Sequence, residues 1–317
     1  MSGEAPVAAA TGRACLLFVH AHPDDETLTS GVTMAAHVAR GDDVHLLTCT
    51  LGEEGEVIPP ELAHLRADRD DRLGPWRREE LRAAMSLLGV AQRVLGEDLE
   101  RGVASRYRDS GMAGASSEGH PDAFARADPA EAAELVAGHI RALRPDVVVT
   151  YDQHGGYGHP DHIQTHRATV AALSALADEG TALPLVFCIL TPQSWAMQDR
   201  RWLHENVVVK EAVASAGSRC LVLDREAPYP PSVVADQIVT HMVEEPALVD
   251  IQSRALARHA TQVSVYDGYY ALSNKVAVRL SGREGFAQFD PLRGELVGPA
   301  PGGSRSRGLL TDGLGRE

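Results

Sequence analysis

Short apolar runs that break off at polar residues set the rhythm of this chain. Cys15-Leu-Leu-Phe-Val-His20 is apolar without alternation, the pattern of a strand buried on both faces of a parallel sheet. Glu26–Ala39 follows with helical spacing and stops at Arg40-Gly41-Asp42, with glycine in the terminating position. Val44–Thr50 is the next strand. Strand, helix and strand in this short span predict a βαβ unit with a right-handed crossover. Glu61–Leu88 reads as one long charged helix ending at Gly89, and Arg93–Leu95 as a short strand. Arg101–His120 has no period and is rich in Gly, Ser and Arg, which predicts a long loop. Pro129–Leu143 is an amphipathic helix, Val147–Tyr151 a central strand, and Asp161–Ala177 a helix opening just after Pro160. Leu185–Leu190 is a further strand. Residues 192–242 are less regular, with short strands expected at Val207–Val209 and Cys220–Leu223, and Pro246–His259 is helical.

The pattern predicts an α/β fold: a Rossmann-like, doubly wound, mostly parallel sheet with a smaller C-terminal lobe. The expected division is a flexible leader over 1–13, an α/β catalytic domain over 14–191, a lobe over 192–298 that completes the substrate pocket, and a disordered Gly/Ser/Arg-rich tail over 299–317.

Composition narrows the classes. A net charge of −14 argues against a nucleic-acid partner, which would need a basic footprint. The N-terminal stretch lacks a basic segment leading into an apolar core, and no apolar run reaches the ~20 residues of a membrane span. Cys15, Cys49, Cys188 and Cys220 form no CxxC pair, and three lie in apolar runs, so buried thiols in a reducing compartment are expected. These features together place the protein in the cytoplasm.

The chemistry concentrates where two strands end. The first runs out into His20-Ala-His22-Pro-Asp24-Asp25-Glu26, and the strand over 147–151 leads through a glycine-rich loop into His159-Pro160-Asp161-His162. Carboxyl ends of strands are where ligands bind in open α/β sheets. Two imidazoles and a carboxylate suit a divalent zinc or iron ion, and three protein ligands leave a position for water. Asp24, a second carboxylate beside the metal, is placed to take a proton from that water. A lone histidine here would be a surface or capping residue; two such clusters at two strand ends favour a site. Asp161 also suits a helix N-terminus as a plain carboxylate, and the Gly52-Glu-Glu-Gly-Glu56 run reads equally well as a solvated turn. No GxGxxG, Walker-type loop, HExxH or GxSxG is present. Metal-assisted hydrolysis is the class that survives.

Ala21-His-Pro-Asp-Asp-Glu26 together with His159-Pro-Asp-His162 resembles the signature of the PIG-L/LmbE-like zinc deacetylases. Thr48–Ile58, Arg108–Gly114, Gly155–His162, His259–Gln262 and Ala271–Asn274 are similar to the branch of that family that serves mycothiol biosynthesis. The resemblance implies zinc-dependent removal of the acetyl group from an N-acetylglucosaminyl-inositol, a small pseudodisaccharide. It implies His22, Asp25 and His162 as metal ligands, and Asp24 as general base. It further implies a protonated His159, oriented by Asp161, and Tyr157 at the oxyanion, with Arg77 and Asp109 holding substrate hydroxyls. Trp76 stands where the family pattern has tyrosine, and His154 precedes Gly155 in the loop. The metal is zinc, with ferrous iron equally compatible with the ligands. The alternatives are a mycothiol S-conjugate amidase or another sugar N-deacetylase of the family, and a non-catalytic zinc-binding domain, against which an intact Asp24, His159 and Tyr157 argue. The oligomeric state stays open, a homo-oligomer included.

Overall fold

A computed structural model describes residues 13–208, 220–298 and 306–309. Its first half alternates strictly. β1 (Cys15–His20) leads into α1 (Asp25–Arg40), and β2 (Asp43–Thr48) into α2 (Leu73–Leu88) and β3 (Ala91–Val94). After a long loop come α3 (Pro129–Leu143), β4 (Val147–Thr150), a short helical turn α4 (Gly155–Gly158), α5 (Pro160–Asp178) and β5 (Leu185–Ile189). The parallel strands run in the order β3-β2-β1-β4-β5. The chain winds outward from β1 in one direction, returns, and winds outward from β4 in the other. The carboxyl ends of β1 and β4 therefore flank the point where the winding reverses, the place where doubly wound sheets bind ligands.

β1, β2, β4 and β5 each serve two cores at once, and the period-2 geometry explains it. Leu16 and Phe18 of β1 pack with Val32 and Met34 of α1 and Leu81 and Met85 of α2. Leu17 and Val19 face the other way, onto Val136 and Ile140 of α3 and Ala172 and Leu173 of α5. Burial on both faces is why the strand is apolar throughout. α1 ends at Gly41, left-handed at φ 88°, whose N–H satisfies a free carbonyl of the last turn. α3 is capped by the Asp128 carboxylate, which accepts the amides of Ala130 and Glu131.

Several expectations need correction. The helix expected over 61–88 is two pieces, a 3-10 turn at Pro60–Leu65 and α2. Asp71 adopts φ 51°, and Pro75 has no N–H to donate back to residue 71, so the helix starts afresh at Leu73. In the irregular stretch a helix, α6 (Gln193–Leu203), follows β6 (Thr191–Pro192), which pairs with β7 (Val233–Val234). His204–Val208 is a π-helical turn rather than the start of a strand, and Val209 lies outside the described residues. Leu221 makes a single parallel bridge to Val276.

A boundary at 191/192 does not coincide with the sheet. β8 (His241–Glu244) and β12 (Arg283–Asp290) join the main sheet antiparallel, in the order β8-β12-β5. Between them lie α7 (Val249–Leu256) and a separate meander of β9 (Ser264–Tyr266), β10 (Tyr269–Ala271) and β11 (Ala277–Arg279). The C-terminal third both extends the sheet and builds the small meander. β13 (Glu295–Leu296) pairs with β12. In the tail expected to be disordered, β14 (Ser306–Arg307) pairs with β8; the rest of that tail and leader residues 1–12 lie outside the described residues. No helix among the described residues is long and apolar enough to cross a membrane.

Candidate metal centre and active site

The turn that leaves β1 is buried although it is almost entirely polar. His22, Asp24 and Asp25 are each less than a tenth exposed. Asp25 opens α1, and its Oδ2 accepts the His22 amide at 2.9 Å. The same oxygen lies 3.2 Å from His22 Nδ1 and 3.2 Å from His162 Nε2, and those two nitrogens are 3.3 Å apart. These three atoms form a nearly equilateral triangle. A tetrahedral zinc with bonds of ~2.0–2.1 Å has ligand–ligand edges of ~3.3–3.4 Å. The triangle therefore matches one face of such a coordination sphere, and converging lone pairs of this kind are what a cation binds.

The protonation pattern of His22 supports the same reading. Its Nε2 faces Asp161 Oδ2 at 3.2 Å and Asp109 Oδ1 at 3.4 Å. Two carboxylates hold a proton on Nε2, so Nδ1 is the nitrogen that would give up its proton to a cation in the triangle. Asp161 is fixed by the Ser110 amide at 2.9 Å and by the Ser110 hydroxyl. Asp109 accepts the amides of Gly111 at 2.8 Å and Glu54 at 3.2 Å. Two other groupings, His22–His159–His162 and His22–Asp109–Asp161, also come within 4.8 Å. In the second of these, Asp161 and Asp109 already accept bonds from Ser110, Gly111 and Glu54, and in the first His159 Nδ1 accepts the Asp161 amide, whereas the His22, Asp25 and His162 atoms converge within 3.3 Å of one another.

Charges in this pocket are strongly coupled to one another. Burial works against charge on His22, but Asp109, Asp161 and Asp25 outweigh it and raise its pKa well above the ordinary value. Asp25 is held well below the ordinary carboxylate value by His162 and His22, against the same burial penalty. Asp24 differs: burial pushes it up to about 7, with Arg77 pulling the other way. A half-protonated carboxylate near neutral pH is suited to accepting and returning a proton.

His159 caps α5, and its Nδ1 accepts the Asp161 amide at 3.2 Å. That bond fixes the other nitrogen as the N–H, so the ring presents a neutral donor. Burial, with His22 and His162 nearby, lowers its pKa to about 3. Two expectations change here. His159 is neutral, not protonated, and the Asp161 carboxylate bonds to His22 and Ser110, while only the Asp161 backbone touches the His159 ring. Tyr157 is exposed on the short turn α4, its ring edge-on to His162 at 5.1 Å. Gly155 makes that turn possible. At φ 60° a Cβ would sit 2.7 Å from His162 Cβ and 2.8 Å from the Ile163 amide nitrogen.

Arg77 and Asp109, expected at the sugar, are both buried against protein groups. The Arg77 guanidinium donates to Gly52 O at 2.8 Å and to Pro23 O, and lies 3.4 Å from Asp24 Oδ1. The Gly52–Glu56 run is no solvated turn. Glu53 Oε2 accepts the Asp109 amide at 2.9 Å, and Glu54 pairs with Arg108. Residues without an assigned task acquire one. His20 Nδ1 meets the Tyr151 hydroxyl at 3.2 Å, and the Tyr151 ring stacks on His162 with centroids 4.2 Å apart. Glu26 accepts the Asp24 amide at 2.9 Å. Ser110 had no sequence signal of its own, because one serine in an aperiodic loop looks like any other. Of the nine residues expected at the site, the structure brings His22, Asp24, Asp25, His159, Asp161, His162 and Tyr157 to the ends of β1 and β4, with Arg77 and Asp109 bracing them from behind.

The sequence profile described as PIG-L: GlcNAc-PI de-N-acetylase matches residues 17–173, which span β1 to most of α5. A protein of Thermobifida fusca named 1D-myo-inositol 2-acetamido-2-deoxy-α-D-glucopyranoside deacetylase is 44% identical over 90% of this chain and 94% of its own. One of Streptomyces scabiei with the same name is 43% identical over 93% of this chain and 88% of its own. Among solved structures, the N,N'-diacetylchitobiose deacetylase of Pyrococcus horikoshii aligns with a TM-score of 0.47 at 17% identity, over 78% of this chain and 70% of that one. With that profile and relatives this similar along most of their length, the chain belongs to the PIG-L family.

Proposed function

We propose that this protein hydrolyses the acetamide of 1D-myo-inositol 2-acetamido-2-deoxy-α-D-glucopyranoside, releasing acetate and glucosaminyl-inositol, a step of mycothiol biosynthesis. The substrate rests on relatives 41–44% identical that carry that activity in their names. The reaction class rests on one observation, the His22–Asp25–His162 triangle with the Asp24 carboxylate beside it.

The residues divide by task. His22 Nδ1, Asp25 Oδ2 and His162 Nε2 hold a divalent ion, zinc or ferrous iron, with Asp161 and Asp109 fixing the His22 tautomer. When bound, that ion supplies Lewis acidity, which polarises the acetamide carbonyl and acidifies water. Asp24 takes the proton as water attacks the carbonyl carbon. The neutral His159 donates its Nε2–H to the carbonyl oxygen as negative charge develops there, and the Tyr157 hydroxyl closes over the same oxygen from the open side. Each such donor is worth ~3–4 kcal/mol in the transition state. Asp24 then returns its proton to the departing amine. Arg77 keeps Asp24 from drifting, since its guanidinium also holds the carbonyls on either side of the pocket.

The test is amine release from the purified, metal-loaded protein with three substrates: N-acetylglucosaminyl-inositol, free N-acetylglucosamine and a mycothiol S-conjugate. The highest kcat/KM is expected on the first. Preference for the conjugate would make the protein an amidase and overturn the substrate assignment, and no turnover on any of them would overturn the reaction.

A further inference from the structure

Asp24 adopts φ 121° and ψ −36°, a conformation that side-chain-bearing residues rarely take. Such a residue stores ~1–3 kcal/mol and persists only where its surroundings over-determine it. Backbone bonds do part of this: the Asp24 carbonyl accepts the amides of Thr27 at 3.0 Å and Leu28 at 2.9 Å. Arg77 grips the Pro23 carbonyl one residue earlier. The Asp24 amide itself is held by a side chain, Glu26 Oε2 at 2.9 Å.

Glu26 is fully buried, and its second oxygen is held in turn. Oε1 accepts the Thr27 hydroxyl at 2.6 Å and faces Nε2 of His259 at 3.1 Å. His259 comes from the far end of the chain, just beyond α7, and is also fully buried. Its backbone is fixed on both sides: its N–H donates to Leu256 O at 3.0 Å, and its carbonyl accepts the amides of Gln262 and Val263 at 2.9 Å each. His259 belongs to neither the ligand triangle nor the group around the reacting carbonyl. A buried carboxylate keeps its orientation only while its lone pairs are satisfied. Without the imidazole, the buried Glu26 carboxylate keeps only the Thr27 hydroxyl and the Asp24 amide, and its hold on the strained turn is weakened.

We infer that His259 is a positioning residue for the hydrolysis: by holding Glu26 it fixes the strained backbone of Asp24 and so the aim of the Asp24 carboxylate. This rests on the reading of Asp24 as the base. If His259 served only to tie the C-terminal third to α1, its loss would lower stability and leave turnover untouched.

The experiment compares His259→Leu, His259→Asn and His259→Gln in the full-length, metal-loaded protein, with Asp24→Asn alongside. Leu removes the donor and Asn is too short to reach Glu26, whereas the Gln amide nitrogen reaches the place of imidazole Nε2. Leu and Asn are expected to lower kcat by ~10–100-fold, the scale of a small misplacement of a catalytic group. KM and metal stoichiometry should stay as in the parent, and Gln should recover most of kcat. If the Leu variant does not fold, the Asn–Gln pair carries the comparison. A folded Asn variant with parental kcat overturns the inference, as does a loss that appears in KM or metal content instead. An active Asp24→Asn protein would overturn the base assignment itself. An inactive one beside a fully active His259→Asn would overturn only the positioning role.

Discussion

Replacing Gly52 by alanine strikes the catalytic pocket without touching a reacting group. Gly52 sits at φ 66°, and a Cβ there would lie 1.9 Å from Arg77 Nη1 and 2.3 Å from its Cζ. A long side chain would ordinarily swing aside, but Arg77 is 3% exposed, and its two Nη atoms are tied to the Gly52 and Pro23 carbonyls with Asp24 Oδ1 3.4 Å away. The left-handed backbone alone costs alanine ~1–2 kcal/mol. Displacing the guanidinium forfeits its bonds to the Gly52 and Pro23 carbonyls, and hydrogen bonds from a charged group are worth ~1.5–3 kcal/mol each. The whole is ~4–8 kcal/mol, a large share of the ~5–15 kcal/mol that holds a typical domain together. Arg77→Met removes the same bonds and also the obstacle. In the double variant the two losses should therefore overlap, and the cycle should close short of additivity by the value of the two shared bonds, ~3–6 kcal/mol. Urea unfolding of the four proteins, compared at equal slope, measures it. Additive losses, or a Gly52→Ala protein as stable and active as its parent, would refute the account of Arg77 as a buried clamp on Asp24.

Asp24→Ala is expected to bind metal at the parental stoichiometry and to lose most turnover, whereas His162→Ala is expected to lose the metal; elemental analysis beside the amine-release assay separates them. Gly155→Ala should reduce both stability and metal affinity, because its Cβ meets the first turn of α5 where His162 is anchored, and thermal melting with a metal titration reads both. Glu284 of β12 accepts the Val32 and Thr33 amides at 2.9 and 2.8 Å, and burial raises its pKa from 4.5 to about 7. A folded-state value above the unfolded one means its contribution is complete below pH 4.5 and is lost as pH rises through 7. That is at most ~3 kcal/mol. The melting temperature of the parent relative to Glu284→Gln should therefore fall between these pH values, and a flat difference would refute it.

The strands and most helices were legible because their signals are local. β1 and β4 are apolar throughout since both faces are covered, and α3 and α5 carry their own start signals in Asp128-Pro129 and His159-Pro160. The clusters at 22–25 and 159–162 were legible for a related reason, since polar groups crowded at a strand end have no packing role. Elements that depend on distant partners were not. β12 reads as an unremarkable Arg283–Asp290 stretch until β5 and β8 bracket it. The division of residues 61–88 turns on Asp71 and Pro75, whose effect is outweighed in the pattern by a continuous run of helix-forming residues.

The doubly wound sheet and the family were readable from the chain alone, because spacing along the chain fixes which polar groups leave a strand end together. Only the tertiary structure decided how those groups are protonated and aimed. Asp161 was expected to serve His159, two residues away, and instead fixes the His22 tautomer across the fold. Arg77 and Asp109 turned inward. Glu26, without a task in the sequence, became the link from Asp24 to His259, which lies 233 positions beyond Glu26. Hydrogen-bond partners and desolvation depend on distances through space, and residues remote along the chain set them.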